Sequence, residues 1–445
     1  MASGWGVRTP LGANLNRFKG LDRVILRAMP PALADVHPFD PAVLESPWAF
    51  NRRLRTEAPV YRDPHTGIFH VASYDLVLET LKNHAVYSNR FAPSMGGSLA
   101  GDSPDPELQE LAQRAYPVVD TMLTADPPEH KRFRGLVNKA FTPRRVDRLE
   151  AEIEGLAEQL IDAFEPAGEF EVMSQFAVLL PLTVIADQLG VPRADLAQFK
   201  RWTDGFTAQL SGMASGEDAV EAVKRILEFQ QYFAARLEEC RAAPRDDIIS
   251  DLVRARIDGE RPLDVAESLS ILQQLLVAGN ETTAASIGEG LLLLVENPEQ
   301  MAIVREDPNV IPNLVEEVLR LTTPTANMWR KAKETSVLGG VEIPEGSMML
   351  IRYSSANRDE THFEDPDRFD VRRPNAADHL AFGHGIHFCL GAMLARKEMN
   401  LAFRTLLRRL DGLRLAPGHG APRHKPSILL RGLAELHLAF DRRSA

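Results

Sequence analysis

A long, mostly apolar helix constrains the fold of this chain more than any other feature. Its predicted start is Asp264, because an aspartate followed three residues later by Glu267 is typical of a capping box, and its predicted end is Asn297-Pro298. The 34 residues from Asp264 to Asn297 would span about 50 Å, the width of a whole domain. Apolar residues cover most of the circumference. We therefore expect this helix to run through the core.

The centre of the helix carries residues that cost stability in a helix interior. Residues 278–283 read Ala-Gly-Asn-Glu-Thr-Thr. A glycine costs about 1 kcal/mol relative to alanine at such a position, and a buried glutamate or threonine needs a partner. A cost of this kind indicates function. A kink or a buried water satisfied by threonine is the alternative, and the helix alone leaves both interpretations open.

Cysteine usage gives the second constraint. The chain has two cysteines, Cys240 and Cys389, without a C-x-x-C pair, which excludes a disulfide scaffold, a zinc ribbon and a dithiol redox site. Cys389 directly precedes a predicted helix, whose N-terminus would lower the pKa of the thiol. Gly383 and Gly385 permit a tight turn that could place the sulfur beneath a flat ligand. The segment predicts an axial metal ligand, whereas a lone cysteine would be interpreted as inert and buried.

Residues 382–392 resemble the haem-binding signature of the cytochrome P450 superfamily, Phe-x-x-Gly-x-x-x-Cys-x-Gly, with every fixed position present. The resemblance implies haem b as cofactor and Cys389 as the thiolate ligand of its iron. It also implies that Phe382 packs beside the sulfur, that Gly383 belongs to the cofactor turn, and that Gly391 lets the helix backbone approach the macrocycle.

The helix centre resembles a second signature of the same family, in which an acid and an alcohol deliver protons to bound dioxygen. The resemblance assigns these catalytic roles to Glu281 and Thr282. It places Ala278 and Gly279 against the cofactor, where Gly279 leaves room for dioxygen or substrate. Family members often carry Asp where this chain has Glu281, which is a difference in the relay geometry.

Further matches lie elsewhere in the chain. Glu317 and Arg320 match the Glu-x-x-Arg pair of the family; residues three apart share a helix face, and we expect Arg373 to join them in the core as a structural group. Without the resemblance, such a pair would be interpreted as a solvated ion pair on a helix surface, which contributes little to stability. Four other residues match the haem-propionate positions of the family and suit two carboxylates: His130, Arg134, Arg330 and His387.

The resemblance covers roughly residues 40–440. It implies a mainly α fold with a smaller β-rich region (α+β), in which a triangular prism of helices surrounds a buried haem. Length alone would allow about three domains, but residues far apart must meet at one haem. We therefore assign 1–40 to an N-terminal arm and 41–445 to a single domain. Periodicity and turn signals predict a hairpin at 61–71, helices at 146–164, 220–237 and 312–321, short strands at 336–343 and a last helix from Cys389 to about 410.

The implied activity is that of a monooxygenase, which inserts one oxygen atom from dioxygen into a C–H bond or an alkene. An isomerase, a peroxygenase or a ligand sensor on the same fold are the alternatives, although Glu281 and Thr282 argue against use of peroxide. A hydrolase with Cys389 and His387 would lack a credible oxyanion site and an orienting residue.

Electrons are expected from a ferredoxin and its reductase, because the sequence shows no flavin or iron–sulfur segment. The expected docking surface is a basic cluster that would attract an acidic ferredoxin. Its members are Lys131, Arg132, Lys139, Arg144, Arg145, Arg148, Arg396 and Lys397.

Substrate contacts are expected from segments that the family uses for this purpose, and they are mostly apolar. A neutral lipophilic molecule of terpenoid, steroid or alkyl-aromatic type fits such a pocket, although most Met and Leu residues simply fill the core. The candidate residues are Phe91, Met95, Met122, Leu123, Leu275, Ala278, Thr325, Ala326, Met328, Ile428 and Leu429.

Composition excludes other classes of function. Sixty-two acidic residues against 51 Lys and Arg leave a net charge of −11, which argues against nucleic-acid binding. The N-terminus lacks a signal-peptide core, and the longest apolar stretch, 177–186, is about half the ~20 residues that a membrane span needs. We expect a cytoplasmic monomer without a membrane segment.

Overall fold

α-Helices form most of the part of the chain that the computed structural model describes, residues 32–91, 105–211, 216–257 and 261–441. In chain order within these ranges, α1 to α16 are Pro41–Glu45, Trp48–Glu57, Tyr74–Lys82, Pro106–Gln113, Glu129–Val137, Pro143–Arg148, Glu150–Phe164, Leu179–Gln188, Leu196–Ser211, Glu217–Ala242, Ile248–Arg254, Val265–Glu296, Pro298–Glu306, Ile311–Thr322, Tyr353–Ala356 and Ala392–Arg409.

The long helix α12 confirms the prediction from its end signals. The amide of Glu267 donates to the Asp264 carboxylate at 2.8 Å, and the amide of Asp264 donates to the Glu267 carboxylate at 2.9 Å, which is a complete capping box. At the other end the Asn297 side chain donates to the carbonyl of Leu293. The helix packs against α8, α14 and α16, and most of its side chains are buried. It therefore runs through the core.

The β-strands form a smaller region beside the helices. In chain order, β1 to β12 are Val60–Arg62, Phe69–Val71, Tyr87–Ser88, Glu169–Glu171, Arg256–Ile257, Arg261–Pro262, Met328–Ala332, Ser336–Leu338, Val341–Ile343, Met348–Ile351, Asp411–Leu415 and His437–Asp441. One mixed sheet has the order β1-β2-β10-β7-β3, in which only β2 and β10 are parallel, and Arg330 stands opposite Met349. A second sheet has the order β11-β12-β4. The predicted hairpin is β1–β2, and the predicted short strands are the hairpin β8–β9.

The remaining predicted helices are present with small differences at their ends. The segment 220–237 lies within α10, 312–321 lies within α14, and the last helix is α16. The segment predicted as one helix at 146–164 is two, because α6 ends at Arg148 and α7 begins at Glu150. The fold is mainly α with a smaller β-rich region, as expected.

The described end of the predicted N-terminal arm packs on the body of the molecule. Leu33 and Val36 are buried in an apolar cluster with Phe50, Leu54 and Ala72. Residues 1–31 lie outside the described ranges. Within those ranges, no helix has both the length and the apolar surface required to cross a bilayer.

Candidate haem site

The turn before Cys389 has a backbone that favours glycine. Gly383 and Gly385 have φ angles of 67° and 72°, in the left-handed region. A Cβ on Gly385 would lie 2.7 Å from the carbonyl oxygen of Leu81, so a side chain does not fit there either. The amide of Cys389 donates to the carbonyl of Phe382 at 2.9 Å and closes the turn. The sulfur is therefore held immediately before α16.

The thiol of Cys389 is not activated by the helix N-terminus alone. Although part of the residue is accessible, the surrounding atoms desolvate the thiol and raise its pKa, and the amides of Gly391 and Ala392 oppose this only in part. The predicted lowering of the pKa is thus outweighed, because removing a thiolate from water costs more than the two amides and the charges of Arg134 and Arg396 return. A metal ion deprotonates a coordinating thiol outright, so the position still suits a metal ligand.

Phe382 is fixed by an arginine. The guanidinium carbon of Arg396 lies 4.5 Å from the centroid of the Phe382 ring. Arg396 also donates twice to Glu316, at 2.7 and 2.8 Å. Although burial opposes ionisation, Arg396 and His379 lower the pKa of Glu316 to about 2. This ion pair holds the aromatic ring at the start of the cysteine turn.

The structure brings the four predicted propionate donors together from three parts of the chain. His130 and Arg134 lie on α5, Arg330 lies on β7, and His387 lies in the cysteine turn. The rings of His130 and His387 have centroids 4.3 Å apart. Burial, together with the charge of Arg330 and the neighbouring His130, lowers the pKa of His387 to about 3. Burial also lowers the pKa of His130, with Arg134 contributing.

Two of these donors are left without an acceptor. Among the described residues, neither ring nitrogen of His387 nor Nε2 of His130 has a hydrogen-bond partner of good geometry, and the Met122 backbone makes only a weak contact with the His387 ring. An unsatisfied buried polar atom costs about 1–3 kcal/mol. Two arginines and two histidines with unused donor atoms match the two carboxylates of haem b, so the residues present fit this cofactor.

Tyr353 belongs to the same cluster, although no sequence motif points to it. Its hydroxyl interacts with Arg330, and burial raises the pKa of Tyr353. The hydroxyl oxygen lies 3.7 Å from the position that a Cβ on Gly383 would occupy. No local motif marks this tyrosine, because only the pairing of β7 with β10 brings it near Arg330.

The centre of α12 connects to the cysteine turn through an apolar cluster. Leu390, next to Cys389, packs in the same cluster as Leu275, Leu276 and Ile185. A Cβ on Gly279 would lie 3.5 Å from Ile185, which is ordinary contact. The cysteine turn and the helix centre therefore border the same apolar cluster.

The acid and alcohol at the helix centre have defined partners. The Thr282 hydroxyl donates to the carbonyl of Ala278 at 2.9 Å. The Glu281 carboxylate accepts from Nζ of Lys425 at 3.1 Å. The neighbouring Asn280 is 1% exposed, and neither atom of its amide group has a partner among the described residues.

A cavity of about 280 Å³ borders Glu281 and Thr282. Its wall combines apolar residues with charged side chains from three elements, so it is more polar than the pocket that the sequence predicts. Its lining residues are Asp204, Thr207, Ala208, Ser211, Glu281, Thr282, Ala285, Pro324, Lys425, Pro426, Ser427, Leu430, Arg431 and Gly432.

None of the predicted substrate residues lines this cavity, although Pro324, Ser427 and Leu430, the neighbours of Thr325, Ile428 and Leu429, do. Phe91, Met328, Ile428 and Leu429 pack with Trp329 in one apolar cluster. A one-residue step along an extended segment turns a side chain to the opposite face, so Leu429 packs in the cluster while Leu430 lines the cavity. The role of these residues as substrate contacts stays a prediction.

The other predicted substrate residues also have different surroundings. Met122 and Leu275 lie in the cluster that contains Leu390. Leu123 is exposed and Ala326 is buried. Thr325 forms a β-bridge with Leu430, and the carbonyl of Ala278 accepts a hydrogen bond from the Thr282 hydroxyl. Met95 lies outside the described residues.

The predicted structural group is completely buried. Arg320 donates to Glu317 at 2.7 and 2.8 Å, and Arg373 donates to the same carboxylate at 3.0 Å. The remaining guanidinium hydrogens reach backbone carbonyls, including those of Asn357 and Glu364. The group ties α14 to the segment that leads to the cysteine turn.

Comparison with known proteins decides the family. The family model for Cytochrome P450 matches residues 214–429. Cytochrome P450 107B1 of Saccharopolyspora erythraea is 40% identical over 316 residues, which cover 71% of this chain and 76% of that protein. The chain belongs to the cytochrome P450 family. Members of this family bind haem b, and this P450 is accordingly a haem-dependent monooxygenase that uses dioxygen and a redox partner.

Two further comparisons extend over nearly the whole P450. Steroid C26-monooxygenase of Mycobacterium tuberculosis is 35% identical over 392 residues, 87% of this chain and 92% of that one. The structure of Cytochrome P450 CYP109Q5 from Chondromyces apiculatus matches with a TM-score of 0.81 and 37% identity, covering 93% and 100% of the two chains. The fold is therefore that of the family.

Proposed function

We propose that this P450 inserts one oxygen atom of dioxygen into a lipophilic small molecule of terpenoid, steroid or alkyl-aromatic type. The observation that carries the proposal is the convergence of His130, Arg134, Arg330 and His387, two of them with unused donors, beside the turn that presents Cys389. When bound, haem supplies the oxygen-activating redox chemistry.

Each part of the chain then has a separate task. Cys389 would be the thiolate ligand of the haem iron, and the four donors would hold the propionates. Gly383 and Gly391 keep side chains away from the cofactor; a Cβ on Gly391 would meet no atom of the described chain within 4 Å. The tight turn and the buried Glu317 group keep the ligand in place without taking part in chemistry.

Proton movement is assigned to the centre of α12. The Thr282 hydroxyl lies at the cavity wall and is oriented by the Ala278 carbonyl. Glu281 lies one residue away, half-buried, and lines the same cavity. A positioned acid and hydroxyl of this kind move protons effectively because both are held at short range before the reaction starts.

The substrate class rests on the cavity and on one relative. The wall combines Ala208, Ala285, Pro324 and Leu430 with hydroxyl and charged groups, which suits a largely apolar molecule with a polar end. The relative from Mycobacterium tuberculosis is a steroid monooxygenase by name. A steroid or terpenoid skeleton is therefore the proposed core of the substrate.

A ferredoxin with its reductase is the proposed electron source. The basic cluster near the cysteine turn is partly neutralised: Arg396 pairs with Glu316, Arg145 with Asp251 and Lys397 with Glu150. Four other members are exposed, and within the described chain no acid forms an ion pair with them: Lys131, Lys139, Arg144 and Arg148. These four are the proposed contacts for an acidic partner.

The working form is proposed to be a cytoplasmic monomer. Both thiols are free, with Cys240 buried in an apolar cluster, and free thiols fit a reducing compartment. Size-exclusion chromatography with light scattering should give one species near the chain mass of 49.4 kDa.

A carbon-monoxide difference spectrum of the reduced protein tests the central assignment. A thiolate-ligated haem gives a strongly red-shifted band, and Cys389→Ala should abolish it, whereas Cys240→Ala should leave it unchanged. Product formation with ferredoxin, its reductase and dioxygen then separates a monooxygenase from an isomerase or a ligand sensor. An unshifted band in the wild-type protein would contradict the proposal.

A further inference from the structure

We propose that Lys425 binds an oxygen acceptor of the substrate, a carboxylate or a carbonyl, while it holds Glu281 beside Thr282. The inference rests on the proposed function, because it identifies the polar end of the substrate of that same site. It makes Lys425 a specificity-determining and positioning residue that the sequence did not indicate.

The position of Lys425 is fixed from its backbone outward. Residues 423–434 form a hairpin loop, in which the Lys425 amide donates to the carbonyl of Gly432 at 3.0 Å. A Cβ on Gly432 would lie 2.9 Å from the Ala285 side chain, so the loop packs closely against α12. His424 contacts Glu289 on the same helix, Nε2 to Oε1, at 2.6 Å. The loop therefore presents Lys425 to the helix centre with little freedom.

The ammonium group of Lys425 has donors to spare. It carries three N–H groups, and the single acceptor found for it in the described chain is Glu281, at 3.1 Å. The Lys425 side chain is 46% exposed, whereas that of Glu281 is 15% exposed. Both residues line the cavity next to Thr282. The remaining donors are therefore available to a molecule in the cavity.

The other charges of the cavity wall have partners. Asp204 accepts two contacts from Lys200, at 2.8 and 3.0 Å. Arg431 donates to the backbone carbonyl of Glu45 and contacts His424. Lys425 is consequently the cation of the wall that can turn a donor toward a ligand, and an acceptor oxygen is the group that it recognises.

Ligand binding to the haem-loaded, full-length protein tests this inference by isothermal titration calorimetry. Three probes share a twelve-carbon skeleton: dodecanoate carries a carboxylate, 2-dodecanone carries a neutral carbonyl, and dodecyltrimethylammonium is a cation without an acceptor. The first two distinguish the two sources of an acceptor oxygen. The third reports changes in the apolar part of the cavity.

Lys425→Met should weaken dodecanoate binding by about tenfold or more and 2-dodecanone binding by a smaller factor, because charge-assisted hydrogen bonds are the stronger ones. Binding of dodecyltrimethylammonium should not weaken. Lys425→Arg should restore most of the dodecanoate affinity. Lys224→Met is the matched control, since Lys224 is an exposed lysine of α10 that pairs with Glu107 and does not line the cavity, and it should leave all three affinities unchanged.

A second variant tests the link to Glu281. In Glu281→Gln the competing carboxylate is removed, so dodecanoate should bind several-fold more tightly, since it no longer shares Lys425 with an internal anion. A merely structural role of Lys425 would weaken all three probes together, and that result would overturn the inference. Failure of the wild-type protein to bind dodecanoate and 2-dodecanone would overturn it as well.

The two proposals fail separately. A missing red-shifted carbon-monoxide band with a lysine-dependent dodecanoate affinity would refute the monooxygenase assignment and keep the subsite. A normal red-shifted band, together with a dodecanoate affinity that Lys425→Met does not change, would keep the monooxygenase assignment and refute the subsite.

Discussion

The imidazole rings of His130 and His387 lie with centroids 4.3 Å apart, at an interplanar angle of 58°, although 257 positions separate the two residues in the chain. One ring comes from α5 and the other from the cysteine turn. Unused ring nitrogens on both residues make this pair the clearest sign that an anionic group belongs here.

Replacing His387 with phenylalanine should therefore loosen the cofactor. The variant keeps an aromatic ring but removes both ring nitrogens, including the one N–H donor of the neutral imidazole. We expect transfer of haem to apomyoglobin to be about tenfold faster, since a charge-assisted hydrogen bond is worth about 1.5–3 kcal/mol. His419→Phe is the control, because His419 is exposed and stacks on His437 away from the cluster. Equal transfer rates would remove His387 from the propionate site.

Thr282→Ala should separate electron consumption from product formation. Loss of the hydroxyl removes a proton donor at the cavity wall, and such groups contribute about 10²–10⁴-fold to a rate. Product per electron pair should fall while hydrogen peroxide rises. Ser286→Ala is a matched control, because the Ser286 hydroxyl makes the same backbone contact one turn along, to the Thr282 carbonyl. Retained coupling in Thr282→Ala would rule out the assigned role.

Gly385→Ala should destabilise the cysteine turn far more than a comparable change elsewhere. Gly67 has almost the same φ, 73°, with no atom within 4 Å of a Cβ, so Gly67→Ala reports the backbone term alone, about 1–2 kcal/mol. Gly385→Ala adds overlap with the Leu81 carbonyl, and we expect a total loss of about 3 kcal/mol or more. Urea unfolding of the haem-loaded proteins measures both. Equal losses of unfolding free energy in the two variants would mean that the turn rearranges and avoids the overlap with the Leu81 carbonyl.

Arg373→Met should leave part of the Glu317 charge buried without compensation. Breaking a buried pair costs about 3–5 kcal/mol, and the free energy of unfolding should fall by this amount. Arg368→Met removes an exposed arginine that pairs with Asp370 at 2.9 Å, and its effect should stay below about 1 kcal/mol. A small loss in Arg373→Met would show that the three-residue group is dispensable for stability.

Arg144→Glu should weaken the productive encounter with ferredoxin. Arg144 is exposed and forms no ion pair within the described chain. Reversal of its charge should therefore raise the KM for ferredoxin several-fold at low ionic strength and much less at high salt. Arg62→Glu makes the same change in charge on β1, an edge strand outside the basic cluster, and should have little effect. If both variants behave alike, the proposed surface is not the docking site.

The sequence by itself determined the elements whose causes are local. The ends of α12 depend on Asp264, Glu267 and Asn297, which act on their own helix termini, and the cysteine turn depends on glycines that permit its backbone. The signature residues around Cys389 also identified the family, because a short segment carries most of the chemistry of the cofactor. Hydrophobic periodicity and capping residues determine such features locally, without long-range contacts.

Only the tertiary structure decided which side chains share a wall. Lys425 and Glu281 are 144 positions apart, and no spacing rule relates a loop near the end of the chain to the middle of a helix. Tyr353 reached Arg330 only through strand pairing. The pKa of Cys389 depended on how completely its surroundings exclude water, which packing sets and a motif does not. Leu429 packs in an apolar cluster while its neighbour Leu430 lines the cavity, because the facing of a side chain is a property of the assembled fold and a single step along an extended chain reverses it.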